Sequence, residues 1–204
     1  MQNNSETRAS AGTTVLYGTV TITGAAVMIL ELLGTRIIGP FYGVSLYVWS
    51  SLIAVTLIAL ALGYFIGGHC ADRFPGIRLG HVILFSALAT MLIPFLSGPV
   101  LLLTNSLDLR AGAFVSALLL FTLPLTALAM VGPYVIKHAT RDLSGVGTAS
   151  GTVYAVSTIG SVAGTLLLGF YLLPLFGTRA ILLSLSLLLT TLGVFVTWHE
   201  RATG

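Results

Sequence analysis

Charge is scarce in this sequence. Only 7% of the 204 residues are Asp, Glu, Lys or Arg, where a soluble domain carries roughly a quarter. The chain therefore has no polar coat to hold it in water. Cysteine is scarcer still: Cys70 stands alone, which excludes an internal disulfide and a multi-cysteine metal site and leaves the redox compartment open. The net charge of +3 comes from basic residues scattered over short connections, so there is no concentrated basic face and no reason to expect a nucleic-acid partner. Hydrocarbon is what remains. Hydrophobic residues make up 56% of the chain, and mean hydropathy is +1.02. A bilayer solvates such a surface.

A spanning helix needs about 20 apolar residues. Six segments qualify: Thr14–Ile38, Leu46–Gly68, Leu79–Leu103, Ala111–Ile136, Gly147–Leu173 and Arg179–Trp198. The breaks between them, GPFYGVS, HCADRFPGIR, TNSLDLR, KHATRDLSGV and PLFGT, are short and rich in Gly, Pro or charge. The expected organisation is a polar tail over 1–13, one all-α integral membrane domain of six helices over 14–198, and a short tail over 199–204. The polar stretch MQNNSETRASAGTT lacks the pattern of a signal peptide.

Six spans put both termini on one side. Arg8, Arg73, Arg78, Lys137, Arg141 and Arg201 fall there, and Arg36, Arg110 and Arg179 fall opposite. Cytoplasmic connections carry the excess of Lys and Arg, so both termini are expected in the cytoplasm and the protein in the cytoplasmic (inner) membrane. His69, His81, His138 and His199 lie at the same boundary. They are too far apart along the chain, and too short of carboxylate company, to make a metal motif; no metal and no cofactor is expected.

The two halves echo one another. Gly39-Pro40-Phe41, Leu62-Gly63-Tyr64-Phe65 and Gly76-Ile77-Arg78 are matched by Gly132-Pro133-Tyr134, Leu168-Gly169-Phe170-Tyr171 and Gly177-Thr178-Arg179, at offsets of 93, 106 and 101. Three spans is an odd number, so a second copy would be inverted. A 3+3 inverted repeat is a transporter construction.

Glu31 is the anomaly inside the first span. An apolar or small run from Val15 to Leu30 lies behind it. Tyr17, Thr21, Gly24, Met28, Glu31 and Thr35 follow one another at steps of three or four and so share a helix face. Arg36, five residues on, is about 140° round the helix and about 7 Å nearer the outer interface, where it can snorkel. Glu31 cannot reach water along the lipid side and is expected to face the bundle interior. Ionisable residues in that setting are functional candidates by default; the alternative is a carboxylate that only fixes packing, paired with Arg36 or Arg179. Span five carries a second polar stripe: Ser150, Tyr154, Ser157, Thr158, Ser161 and Thr165. These hydroxyls either wall a cavity or satisfy their own helix carbonyls. Gly147/Gly151, Gly160/Gly164 and Ala59/Gly63/Gly67 form small-residue steps of the kind that bring helices close in lipid. Pro94, Pro99, Pro124 and Pro133 interrupt spans three and four, as hinges or as shape.

Two resemblances arise from these residues. The loop GYFIGGHCADRFPGIR, with Gly63, Gly67, Gly68, Asp72, Arg73, Gly76 and Arg78, resembles the loop between the second and third helices of major facilitator transporters. The resemblance implies a cytoplasmic gate loop, with Asp72 placed to cap a helix N-terminus and Arg73 and Arg78 cytoplasmic. Pro75 and the single Arg78 depart from the usual pattern. The stretches from Leu30 to Gly76 and from Gly151 to Arg179 are similar to the membrane portion of spermidine synthase-like fused membrane proteins, through Glu31, Arg36, Pro40, Gly43, Ser45, Trp49, Gly63, Gly67, Gly68, Asp72, Thr158, Gly160, Gly164, Gly169, Pro174 and Gly177. Where many of those relatives carry Asn, this chain has Ser157. Many also carry a soluble aminopropyltransferase-like domain, but these residues contain no glycine-rich strand-to-helix turn to hold a nucleoside cofactor. The enzymatic half of the family is therefore not expected here. No nucleophile–base pair lies at one depth, and the chain is not expected to be an enzyme.

Two functions remain in view. The first is a transport or permeation module, resembling one half of a major facilitator transporter, for a small polar or cationic solute of which a polyamine is one candidate. Its solute-binding candidates are Glu31, Tyr17, Thr21, Arg36, Tyr154, Ser157, Thr158 and Ser161, with Asp72, Arg73 and Arg78 as the gate loop. A homo-oligomer or a second membrane subunit is then implied. The second is a non-transporting anchor for a separate soluble aminopropyltransferase-like protein, docked on the loops Cys70–Arg78 and Lys137–Ser144.

Overall fold

In the computed structural model the backbone is described for residues 2–74, 76, 78–140 and 145–203, with side chains from residue 12 to 202 within those ranges. The described chain is all-helical: α1 (Gln2–Tyr42), α2 (Leu46–Arg73), α3 (Leu79–Thr104), α4 (Leu109–Ala139), α5 (Val146–Leu167), α6 (Leu173–Leu175) and α7 (Thr178–Thr203). A π-helical turn, Leu168–Leu172, joins α5 to α6 and makes the three pieces one span. Pro174 follows the turn and has no N–H for the carbonyl of Phe170. Six helices are long and apolar enough to cross a membrane, the first of them counted from Gly12. The backbone helix itself begins at Gln2, well before Thr14, and α7 runs past Trp198. Pro94, Pro99, Pro124 and Pro133 all lie inside continuous helices.

Both described ends lie on one side of the six spans, called here the terminal side; the other is the far side. The bundle is built from parallel and antiparallel pairs. α2 packs chiefly on α4, α5 on α1, and α3 on α7, with α4 also against α1 and α3. Glycine sets these contacts. A Cβ at Gly63 would strike Ala129 and the Thr126 carbonyl, and one at Gly67 would sit 2.7 Å from the Met130 Cα. The α1–α5 pair, parallel like α2–α4, repeats the device: Gly160 lies against the backbone of Thr21, and Gly164 against Ala25 with 2.8 Å to its Cβ. In lipid this is how helices gain contact, since burying hydrocarbon from hydrocarbon contributes nothing.

Polar ties reinforce the pairs at their ends. Glu200, near the end of α7, accepts hydrogen bonds from the Leu79 and Gly80 amides at 3.0 and 3.4 Å, capping the N-terminus of α3. Asp72 does not take that role: it sits in the last turn of α2 and pairs with Lys137 at 3.2 Å. Lys137 Nζ also donates to the Ala71 carbonyl, tying α4 to the end of α2. On the far side, Arg110 stacks over the Tyr47 ring and Arg179 over the Phe95 ring. There the Tyr42 hydroxyl donates to Thr104 (2.8 Å), whose hydroxyl lies 2.6 Å from that of Ser116. This buried chain joins α1, α3 and α4.

Candidate functional site: an open groove on the terminal side

Between the α1–α5 pair and the α2–α4 pair lies a groove of about 200 Å³. Its lining runs from the middle of the spans toward the terminal side: Val20, Gly24, Val27 and Met28 from α1, Leu60 and Tyr64 from α2, Leu128 and Gly132 from α4, and Tyr154, Ser157, Thr158 and Ser161 from α5. Tyr64, Tyr154 and Thr158 are exposed, so the groove is open along one side. Two further grooves, one between α3 and α4 and one beside α1, α5 and α7, are lined by apolar side chains apart from Ser184. Those suit lipid tails. Only the first of the three gathers several hydroxyls.

Those hydroxyls differ in what they are free to do. Thr158 donates to the Tyr154 carbonyl at 2.8 Å, and Thr23 to the Thr19 carbonyl at 2.9 Å. Ser161 reaches across to the Gly24 carbonyl at 3.0 Å and holds α5 on α1. The hydroxyls of Tyr64, Tyr154 and Ser157 have no hydrogen-bond partner among the described residues, and all three face the groove. Ser157 sits directly against Gly24, where a Cβ would lie 2.7 Å from its Oγ.

Glu31 continues the α1 stripe that walls the groove. Val20, Gly24, Val27 and Met28 run up that face, and Glu31 follows three residues after Met28, about 4.5 Å nearer the far side. It is half-buried and makes no hydrogen bond or ion pair with any described residue. Arg36 is exposed and Arg179 lies over Phe95, so neither is its partner. Extending the parallel register of Gly164 on Ala25 by six residues sets the π-helical turn level with Glu31. Such turns recur at functional sites.

Of the residues singled out in the sequence, Tyr154, Ser157, Thr158 and Ser161 meet in the groove, with Glu31 on the same α1 face beyond it. Tyr17 packs against the apolar core, and Thr21 donates to the Tyr17 carbonyl while its backbone meets Gly160. Arg36 points away at the far side. Asp72, Arg73 and Arg78 are exposed at the terminal side, and Arg73 and Arg78 make no ion pair with any described residue. Pro75, Ile77, residues 141–144 of the second expected docking loop, and the side chain of Arg8 lie outside the described residues. Tyr64 and Thr23 are groove hydroxyls that sequence reading missed, and of the two only Tyr64 is without a hydrogen-bond partner among the described residues. Tyr64 lies on the next span after that of Glu31, and its only signal was a place in the internal echo. Among the described residues no three His, Cys, Asp or Glu side chains gather closely enough to hold a metal ion. No protein-family model, curated protein or solved structure matches the chain.

Proposed function

We propose that this integral membrane protein is a transport module for a small cationic solute, with the groove as half of its path and Glu31 as the cation-binding group at the path's inner end. The observation that carries this reading is the Glu31 carboxylate, which has no hydrogen bond or ion pair with any described residue and lies on the α1 face just beyond a hydroxyl-lined groove near the middle of the spans. A charge left in hydrocarbon without a partner is costly. A site that awaits a cation gives it a reason to be there. Amines and protons both fit a carboxylate, and the free hydroxyls of Tyr64, Tyr154 and Ser157 would accept from an ammonium group. A polyamine remains the leading solute, through the resemblance to spermidine synthase-like membrane proteins.

The helix pairing supports an inverted 3+3 repeat. Exchanging α1 with α4, α2 with the fifth span, and α3 with α7 turns the α2·α4 pair into the α5·α1 pair and leaves α3·α7 in place. The glycine steps follow: Gly63 and Gly67 on Thr126 and Met130 correspond to Gly160 and Gly164 on Thr21 and Ala25. That construction belongs to transporters. The open side of the groove calls for a second wall, from another copy or another membrane subunit.

The test is uptake of radiolabelled putrescine and spermidine into proteoliposomes. Uptake should exceed that of protein-free vesicles and fall about tenfold or more in Glu31→Gln, since removing one member of a desolvated charge pair costs at least about 2 kcal/mol. No uptake of either amine, together with stable capture of a soluble aminopropyltransferase on the terminal side, would return the anchor reading instead.

A further inference from the structure

The groove stops short of the far side, and what stops it is specific. Its lining residues on α1, α2, α4 and α5 run from the middle of the spans toward their terminal ends. One turn beyond Met28 comes Glu31, and three residues beyond that comes Gly34. There the chain closes up. A Cβ at Gly34 would lie 2.6 Å from Leu52 Cδ2 on α2 and 3.4 Å from Phe121 Cε2 on α4, so both side chains rest on bare α1 backbone. Leu52 is 2% exposed and Phe121 1%. Gly34 is about 60° round the helix from Glu31 and about 4.5 Å further along, so this contact sits over the carboxylate on the same side of α1. Beyond it lies a second layer: Tyr42 packs over Gly112, within 2.5 Å of where a Cβ would stand, and hydrogen-bonds through Thr104 to Ser116.

We infer that Leu52 and Phe121, closed on Gly34, form the seal that separates Glu31 from the far side of the membrane, with Tyr42 as the latch behind it. The seal is apolar, and a constriction of that kind blocks ions because water leaves it. The small residue is on α1 and the moving parts are two side chains, so α1 can part from α2 and α4 here without breaking backbone bonds. The contact opens when the solute passes. The seal's place in a transport cycle rests on the function proposed above; its existence rests on the packing alone.

Accessibility separates the two. In the full-length protein, with Cys70→Ser as background, Glu31→Cys is exposed in oriented vesicles to a membrane-impermeant methanethiosulfonate reagent from one side at a time, with labelling read by intact mass. Glu31→Cys should label from the terminal side only. Adding Leu52→Ala and Phe121→Ala should open labelling from the far side, raising its rate about tenfold or more. Leu52→Ala alone, the milder change, should raise it in the same direction. Far-side labelling as fast before the truncations as after them would overturn the seal. So would no far-side labelling in either folded variant, or no labelling of Glu31→Cys from the terminal side. If labelling behaves as expected but the parent protein moves no amine, the seal stands and the transport reading falls.

Discussion

At the scale of single residues, the groove sorts hydroxyls that look alike in sequence. Ser157 and Thr158 are neighbours on one stripe, yet Thr158 is satisfied within its own helix and Ser157 is left free. Ser157→Ala or Tyr154→Phe should therefore weaken amine uptake by several-fold, about 0.5–1.5 kcal/mol for one lost hydrogen bond, while Thr158→Val leaves it unchanged. Equal losses in all three would remove the distinction. Glu31 yields the sharper prediction. Breaking a buried ion pair costs about 3–5 kcal/mol, but Glu31 has no such pair to break. Glu31→Gln should hold its thermal unfolding midpoint in detergent to within about 2 °C while losing uptake. A drop of many degrees would mean that the carboxylate has a structural partner after all.

At the scale of helices, close approach is concentrated at a few glycines. The step at Gly160 and Gly164 presses on the backbone of α1, whereas Gly147 and Gly151, identical in spacing, have nothing within 4 Å. Gly160→Leu should lower stability by about 1–3 kcal/mol or more through overpacking, seen as reduced folded yield and an earlier unfolding transition. Gly151→Ala should cost nothing within one chain; a loss of oligomer in that variant alone would mark the face as a contact between copies. The helix ends differ in the same way. Glu200 caps the α3 amides, so Glu200→Ala should cost about 1 kcal/mol and speed hydrogen exchange at Leu79 and Gly80. The Lys137–Asp72 pair is solvent-exposed on both partners. Lys137→Met should be near neutral, within about 1 kcal/mol.

At the scale of the whole molecule, an even number of spans makes one surface carry both ends. Cys70, in the last turns of α2, belongs to that surface and is partly accessible. With six of the nine Lys and Arg residues on that side, an impermeant thiol reagent should label Cys70 only from the cytoplasmic side of intact cells or inverted vesicles. Labelling from outside would reverse the orientation. The groove lies from the middle of the spans toward that same side, and beyond Glu31 the side chains of Leu52 and Phe121 pack on Gly34. The least buried span is the fifth, whose hydroxyl stripe borders the open edge. That edge is where a second wall would join.

Span number, the side shared by the termini, and the odd carboxylate at Glu31 were all legible in the sequence. Each depends on local composition: a run of hydrocarbon long enough to cross lipid has one stable solution, and a charge within it stands out against any background. The small-residue steps were legible as a pattern but not in their use. Gly151 and Gly160 differ only in what lies opposite, and a helix does not encode its neighbour in its own period. The site was half legible for the same reason. Glu31 and the Ser157 stripe announced themselves as polar faces. Tyr17 and Thr21 share the same sequence spacing but turn into α5 and the core, because the α1 face is divided between two partners. Tyr64, and the closure of Leu52 and Phe121 on Gly34, exist only where α2 and α4 meet α1. Contacts between helices far apart in sequence are decided by how the whole bundle packs, and only the tertiary structure could place them.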